Sequence, residues 1–255
     1  MSSVSTQIVG RVSGRAETTE SGPDHHLPAG VVAIVGVSWT LLIAAQASGS
    51  RLLDHDAVFE GGRAAWMGVG LFLLGWQPMV VAMMLPASFP AIRQVASRRL
   101  GVGPFLLGFG AVWTAFGCAA LNLDSFVHRT VDSQPWLAAR PALVAAGLLA
   151  VVGLVQLVPL TSRCLTASAR WDVPPPGQGD RPSALVEGAR YGVLSLGCDG
   201  GLMFLMFGLG KGSVVWMAVL GTVMVVERAS GHGAAAHRGL GAVAMAAAAA
   251  ILIGI

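Results

Sequence analysis

The chain alternates long apolar stretches with short polar segments. Each apolar run is about 20 residues long, the length that an α-helix needs to cross the hydrocarbon core of a bilayer. This pattern predicts an all-α fold, a polytopic transmembrane helical bundle of about seven spans, or six if one weak run is dropped. The predicted helices lie at about 28–47, 64–89, 101–122, 136–160, 188–208, 213–227 and 239–255.

The two ends of the chain differ in polarity. Residues 1–27 are polar and predict a disordered cytoplasmic tail, whereas residues 28–255 predict a single transmembrane helical domain. The first apolar run ends in Ala45-Gln46-Ala47, which resembles a signal-peptidase site. The long polar lead and the length of the run favour a retained helix, with a cleaved signal as the alternative.

Composition and charge support a membrane protein and predict its orientation. Hydrophobic residues make up 54% of the chain and charged residues only 11%, and no soluble domain fits between the apolar runs. The net charge of +3 comes from arginines in short loops, which is not a nucleic-acid-binding pattern. The loops predicted on the side of the N-terminal tail, counted with that tail, hold eleven Lys and Arg residues, and those on the opposite side hold five. The positive-inside rule predicts a multi-pass protein of the plasma (inner) membrane with its N-terminus in the cytoplasm and its C-terminus outside. The expected partners are the lipid bilayer and other membrane subunits, and not nucleic acid.

The fifth apolar run, Gly188–Phe207, carries a carboxylate near its middle. Asp199 follows Cys198 there, and a carboxylate at this depth costs several kcal/mol unless it is kept away from lipid. Gly197 and Gly201 form a small-xxx-small pair, which allows the backbone of a neighbouring helix to approach closely. The run therefore predicts a polar pocket around Asp199, completed by a second helix.

The second helix offers sulfur atoms for such a pocket. Pro86 cannot donate a hydrogen bond to the carbonyl of the preceding turn and predicts a kink. Met79, Met83 and Met84 precede it, and thioethers are soft ligands that suit Cu(I), although methionine is also a common core filler. Met83 lies ten residues before Arg93, and Asp199 lies nine residues after Arg190. At 1.5 Å per residue both lie roughly 13–15 Å from the cytoplasmic side, so we expect helices two and five to meet there.

Other polar groups give weaker signals. Asp54-His55-Asp56 would suit a hard cation, but a solvated loop is the favoured interpretation. Glu227, His232 and His237 are spaced by five, which does not repeat on one helix face, so they make a poor metal site. Glu227 and Arg228 suggest an ion pair with each other at the membrane interface. The three cysteines, one in each of three distant segments, form no CxxC and exclude a disulfide framework or a zinc finger.

The second and fifth helices together resemble a known family. The run from Trp76 to Pro86 (WQPMVVAMMLP) resembles the W-x-x-M-x-x-A-M-M-L-P signature of the bacterial predicted metal-binding integral membrane proteins, domain of unknown function 2182. Tyr191–Cys198 resembles the Y-x-x-G-C-C segment of that family. Its L-M, W-M and E-K positions are matched by Leu202-Met203, Trp216-Met217 and Glu227-Arg228. The resemblance implies a polytopic inner-membrane protein with a metal site.

Two departures from the family pattern change the ligands that this site would offer. Asp199 stands where the family has a second cysteine after the first. The family also has C-L-x-x-C in the loop before helix five, where this chain has Cys164-Leu165-Thr166-Ala167-Ser168. Both exchanges replace a thiolate with oxygen, which weakens a soft Cu(I) or Zn(II) site.

These observations leave three functions open. The first is a metal-handling protein in which Cys198, Asp199, Met83, Met84 and Met79 bind copper or another transition-metal ion between helices two and five. The second is a solute or proton-coupled permease, with Asp199 as the protonatable group. The third is an accessory or assembly subunit of a membrane complex. The sequence contains no catalytic constellation, so an enzyme is not expected.

Overall fold

The computed structural model describes residues 27–49, 65–172, 183–208, 213–229 and 233–254. In these segments the chain folds into helices and contains no strand, which confirms the predicted all-α class. The tail before residue 27 and the Asp54-His55-Asp56 loop lie outside the described residues, and so does His232.

The described segments contain ten helices, which we number in chain order. They are α1 (Ala29–Ala47), α2 (Ala65–Ala87), α3 (Phe89–Ser97), α4 (Val102–Asp132), α5 (Pro135–Ala138), α6 (Pro141–Leu157), α7 (Pro159–Ala169), α8 (Ala184–Gly208), α9 (Val214–Ala229) and α10 (Gly233–Ile253).

The helix that contains Pro86 ends rather than kinks. Helix α2 stops at Ala87, and α3 begins two residues later. Ser88 lies between them, and its Oγ donates a hydrogen bond to the Met84 carbonyl at 2.8 Å. The Met84 carbonyl also accepts a hydrogen bond from the Ser88 backbone N–H at 3.2 Å, so Ser88 binds the end of α2 through both groups.

The region after the fourth predicted helix is helical where a loop was expected. Helix α6 ends at Leu157, and α7 begins at Pro159 with a bend of 58° between the two axes. Val158 has an extended backbone (φ −65°, ψ 134°), the conformation to which a following proline restricts a residue. The bend turns residues 159–169 back along the protein instead of releasing them as a connector.

Helix α4 also extends beyond its predicted end at residue 122, reaching Asp132. Its last turns carry polar residues at helical spacing. Asp124 and His128 lie on one face, with Oδ2 and Nδ1 3.4 Å apart. Polarity alone therefore did not mark a loop here.

Four of the described helices are long and apolar enough to cross a membrane, and the bent pair α6–α7 makes five if it counts as one span. Helix α9 has only 16 residues, and α8 carries Glu187, Arg190 and Asp199. A total of about seven spans requires that both of these helices also cross the membrane, and it stays a prediction.

Glycines allow α4 and α8 to pack side by side. A Cβ added to Gly108 would lie 2.0 Å from the Leu185 carbonyl oxygen, and one added to Gly188 would lie 2.0 Å from the Phe105 carbonyl oxygen. Further along, a Cβ added to Gly192 would lie 3.1 Å from Val112 Cβ, and one added to Gly200 would lie 3.8 Å from Phe116 Cε2. From the contact of Phe105 with Gly188 to these contacts the residue numbers rise in both helices, so α4 and α8 run parallel. Helix α8 is thereby placed with its polar face towards α7 and α9.

Several helix ends meet at one end of the molecule, which we term the basic end. It comprises α3, α7, the last turns of α2 and α9, the first turns of α4 and α10, and α8 as far as Asp199. Ring contacts join Phe105, Trp171 and Tyr191 there. The described part of this end carries eight arginines and four carboxylates: Arg93, Arg98, Arg99, Arg163, Arg170, Arg190, Arg228 and Arg238, and Asp172, Glu187, Asp199 and Glu227.

Candidate metal site at the α7–α8–α9 junction

Asp199 is fully buried inside the protein, and its partner is a cation from another helix. It forms an ion pair with Arg228 near the end of α9, in which Asp199 Oδ2 accepts from Arg228 Nη2. The two side chains are only 1% and 6% exposed, respectively. Ser195 Oγ lies 3.2 Å from the same carboxylate oxygen. The other oxygen, Oδ1, makes no hydrogen bond within the described part of the chain.

Arg228 binds side chains on three successive turns of one face of α8. Its Nη1 donates to the Tyr191 hydroxyl at 2.7 Å, and its Nη2 donates to Ser195 Oγ at 2.8 Å. Tyr191, Ser195 and Asp199 are spaced by four residues, which places them one above another on a helix. The sequence therefore encodes the polar face of α8 as a four-residue repeat. The cation that binds this face lies about 30 residues further along the chain, and helix packing brings it there.

The expected ion pair between Glu227 and Arg228 is not formed, and this prediction was wrong. Arg228 turns to Asp199, whereas Glu227 pairs with His237 on α10, with Oε2 and Nδ1 3.2 Å apart. Successive residues on a helix point about 100° apart, so these two side chains face different neighbours. His237 and Glu227 are both buried.

Cys198 lies beside the ion pair. Its Sγ is 3.8 Å from Asp199 Oδ2 and 3.5 Å from Arg228 Nη2, and the thiol also lies 3.2 Å from the Leu194 carbonyl oxygen. Ser168 of α7 lies close to this thiol, and its own hydroxyl donates to the Leu165 carbonyl at 2.9 Å. Cys198 is 1% exposed, so a metal ion does not reach its sulfur directly from the protein surface.

A second cysteine, which the predicted site did not include, packs against the same part of α8. A Cβ added to Gly197 would lie 2.6 Å from Cys164 Sγ, so the absence of a side chain at Gly197 makes room for this sulfur. Cys164 belongs to α7, the segment expected to be a loop. The C-L-x-x-C comparison was the one signal in the sequence that could have placed Cys164 and Ser168 at the site.

The two glycines of the small-xxx-small pair face different helices. Gly197 contacts α7, whereas an added Cβ at Gly201 would lie 3.5 Å from Val155 Cγ1 of α6. Helix α8 therefore uses this face against both arms of the bent pair.

The methionines of α2 lie in the hydrophobic core. Met83 and Met84 are buried, and Met79 is partly buried. Met83 faces α9, where a Cβ added to Gly221 would lie 3.7 Å from its Cα and Cγ atoms. Helix α2 packs mainly on α1, α4 and α9. It reaches the junction at its C-terminal end, where Ser88, the next residue, lies close to the Tyr191 side chain.

The described residues contain no group of three or more His, Cys, Asp or Glu side chains that could hold a metal ion. The chemistry available at the junction is two neighbouring thiols, a hydroxyl, and a carboxylate held by a guanidinium. A low number of soft ligands is suited to Cu(I) rather than to Zn(II), which in proteins is bound by four ligands at structural sites.

The fold and the junction define a class of protein: an all-helical protein with several membrane-length apolar helices and a buried, sulfur-bearing polar site. Comparison with protein families identifies it further. The family model of the PpoB2 copper chaperones matches residues 73–251, which is more than two thirds of the chain. The chain therefore belongs to this copper chaperone family. No curated protein and no solved structure matches it. The matched range begins inside α2 and includes Cys164, Cys198, Asp199 and Arg228, but not α1.

Proposed function

We propose that this protein is a multi-pass membrane copper chaperone that holds Cu(I) between Cys164 and Cys198 at the α7–α8–α9 junction. One observation carries the proposal: Cys164 Sγ packs against Gly197, the residue directly before Cys198. Two cysteine-bearing segments that are 34 positions apart in the sequence are thereby brought together at one site inside the matched family range. Thiolates are the side chains that select Cu(I).

The surrounding polar groups would balance the charge of the copper–thiolate complex. Two thiolates and one Cu(I) carry a net charge of −1, which needs a nearby cation in a buried site. Arg228 Nη2, 3.5 Å from Cys198 Sγ, supplies that cation, and Asp199 holds it there. Asp199 Oδ2 lies 3.8 Å from the same thiol, so the carboxylate and the guanidinium both border the proposed copper site.

The departures from the family pattern suit transient binding. Ser168 and Asp199 stand where the resembling family has further cysteines, so the junction has two thiols rather than four. A chaperone must release its metal as well as bind it, and fewer soft ligands favour release.

The thioethers of α2 have a secondary place in this proposal. Met83 and Met84, with Met79 beside them, remain proposed Cu(I) ligands because thioethers are soft donors. The close packing of Met83 on α9 at Gly221 favours their role as core residues.

The two other functions have different support from the geometry. A proton-coupled permease would need Asp199 to titrate during transport, and its ion pair with Arg228 does not favour that role. An accessory role agrees with copper delivery, because a chaperone passes its metal to another protein. We place the protein in the inner membrane with its N-terminus in the cytoplasm and its C-terminus outside, on the strength of the positive-inside rule.

Copper binding by cysteine variants tests the proposal. The full-length protein, purified in mild detergent under reducing conditions, is expected to withdraw one Cu(I) equivalent from a chromogenic Cu(I) chelator. The Cys198→Ser and Cys164→Ser variants are each expected to lose at least about tenfold in affinity, which is the effect of about 1.4 kcal/mol.

Cys118→Ser is the matched control, because Cys118 is a free cysteine on α4, which is not one of the three helices of the junction. It is expected to bind copper as the unmodified protein does. If the unmodified protein takes up no Cu(I) above a metal-free control, or if all three variants bind equally, the proposed site is wrong.

A further inference from the structure

A small polar pocket opens beside the candidate copper site. It has a volume of about 260 Å³ and lies among α2, α3, α7, α8 and α9 at the basic end. Three of the residues that line it belong to the junction: Ser168 lies close to Cys198, and Arg228 hydrogen-bonds to Tyr191 and lies 3.5 Å from Cys198 Sγ. The pocket therefore borders the residues that surround the buried thiol.

The pocket contains polar atoms that lack a partner. Arg228 Nε and Gln94 Oε1 are buried and make no hydrogen bond within the described segments. Both residues line the pocket. Buried polar atoms are normally hydrogen-bonded, so a donor and an acceptor left open at one pocket indicate a polar ligand.

Charge and size narrow the class of ligand. The basic end has eight arginines against four carboxylates in its described part, so its potential favours an anion over a free metal cation. Ligand pockets for drug-sized molecules occupy about 300–1,000 Å³. A pocket of about 260 Å³ is below that range and suits a small molecule rather than a folded protein domain.

We propose that this pocket binds a low-molecular-weight anionic thiol and that Cu(I) enters the site as the complex of that thiol. This inference rests on the proposed copper function and adds that a thiolate carrier delivers the Cu(I) to the site. A hydrated Cu(I) ion would be repelled by the arginines, whereas a bis-thiolate complex carries a charge of −1 and is attracted.

The transfer is a ligand exchange without oxidation or reduction. Each carrier thiolate breaks its bond to copper as one protein sulfur, from Cys164 or Cys198, forms a new bond. The two protons released by the protein thiols pass to the departing thiolates, which leave as two neutral thiol groups. One Cu(I) and one negative charge enter the site, next to Arg228.

The pocket can be filled without altering the junction. Ala169 lines it and is exposed, so Ala169→Trp adds a large side chain at the mouth. Ala236 is an exposed alanine on α10 at the same end of the molecule and is not among the pocket-lining residues, so Ala236→Trp is the matched control.

Two measurements test the pocket separately from copper binding. In the first, equilibrium dialysis of the metal-free full-length protein with radiolabelled reduced glutathione measures thiol binding alone. The unmodified protein and Ala236→Trp are expected to retain the thiol, and Ala169→Trp is expected to lose at least about tenfold in affinity, the effect of a steric cost of about 1.4 kcal/mol. Retention by none of the three, or equal retention by all, overturns the pocket.

In the second measurement, Cu(I) transfer is followed from two donors, the glutathione complex and the acetonitrile complex. Ala169→Trp is expected to slow transfer from the glutathione complex and to leave the final copper content unchanged. Equal rates for Ala169→Trp and Ala236→Trp from the glutathione complex overturn the inference while leaving the copper site intact. Failure of the unmodified protein to take copper from either donor instead refutes the proposed function, and the dialysis result then decides the pocket by itself.

Discussion

At the scale of single residues, the buried ion pair between Asp199 and Arg228 dominates the junction. Both side chains are almost completely removed from solvent, and Arg228 also binds Tyr191 and Ser195. The mutual attraction of a buried pair is largely offset because both charges lose their hydration. Removing one partner is nevertheless expensive, since it leaves the other charge buried and uncompensated.

This imbalance predicts the outcome of substitutions at the pair. Arg228→Gln is expected to destabilise the protein by about 3–5 kcal/mol, because Asp199 remains buried and unpaired. Asp199→Asn combined with Arg228→Gln is expected to recover part of that loss, because neither charge remains. Thermal unfolding in detergent, followed by tryptophan fluorescence, measures both.

Arg98→Gln is the control for losing an arginine. Arg98 pairs with Asp172 at 3.4 Å, but their side chains are 30% and 61% exposed. A surface pair contributes about 0–1 kcal/mol, so this variant is expected to unfold close to the unmodified protein. If Arg228→Gln lowered the unfolding temperature no more than Arg98→Gln does, the buried pair would not stabilise the fold.

At the scale of secondary-structure elements, the close contact of α4 with α8 sets where the site lies. Gly108 and Gly188 bring the two backbones together, and Tyr191 then packs against Phe105 and Phe109 of α4. The bent pair α6–α7 supplies Cys164 and Ser168 from the other side. The junction therefore depends on backbone approach as much as on its polar side chains.

Two glycines on α4 give a matched test of this contact. A Cβ at Gly108 would lie 2.0 Å from the Leu185 carbonyl oxygen, which is backbone and cannot rotate away. Gly108→Ala is expected to destabilise the protein by about 1–3 kcal/mol through overpacking.

A Cβ at Gly110 would meet no atom within 4 Å in the described structure. Gly110→Ala is expected to be neutral or to stabilise α4 by up to about 1 kcal/mol, because alanine has the higher helix propensity. Thermal unfolding of the two variants side by side measures the difference. Equal melting of both would contradict the close α4–α8 contact.

At the scale of the whole molecule, the arginines are concentrated at one end. Helices α6 and α10 run antiparallel, since Gly153 contacts Met245 whereas Gly241 contacts Gln156 and Leu157. Helix α10 thus runs from the basic end towards the opposite end of the molecule. The positive-inside rule predicts that the basic end, with its pocket, faces the cytoplasm.

Labelling of single cysteines tests this orientation. Ser97 is exposed at the end of α3, and Ser133 is exposed after α4, so Val102–Asp132 lies between them. In intact cells, a membrane-impermeant thiol reagent is expected to label Ser133→Cys and to leave Ser97→Cys unlabelled until the cells are opened. The background carries Cys118→Ser, Cys164→Ser and Cys198→Ser, so the introduced cysteine is the single thiol of each variant. Labelling of Ser97→Cys alone in intact cells would reverse the orientation.

Much of the class of this protein follows from local sequence. The apolar runs predict helices because each must satisfy its own backbone hydrogen bonds in an apolar environment. The cost of a charge in lipid likewise requires Asp199 to be sheltered by protein, and it is fully buried. Cys198 could be singled out by its position next to Asp199. These inferences depend on composition and on short spacing, which the chain carries without any knowledge of its neighbours.

The tertiary structure alone decided which groups meet. Arg228 rather than Glu227 or a methionine faces Asp199, and the bend at Pro159 brings Cys164 against Gly197. A helical repeat determines which residues share a face, but the rotation of each helix and the neighbour it packs against depend on side-chain fit over the whole bundle. The identity of a buried partner is therefore a property of packing, and no pattern within one helix encodes it.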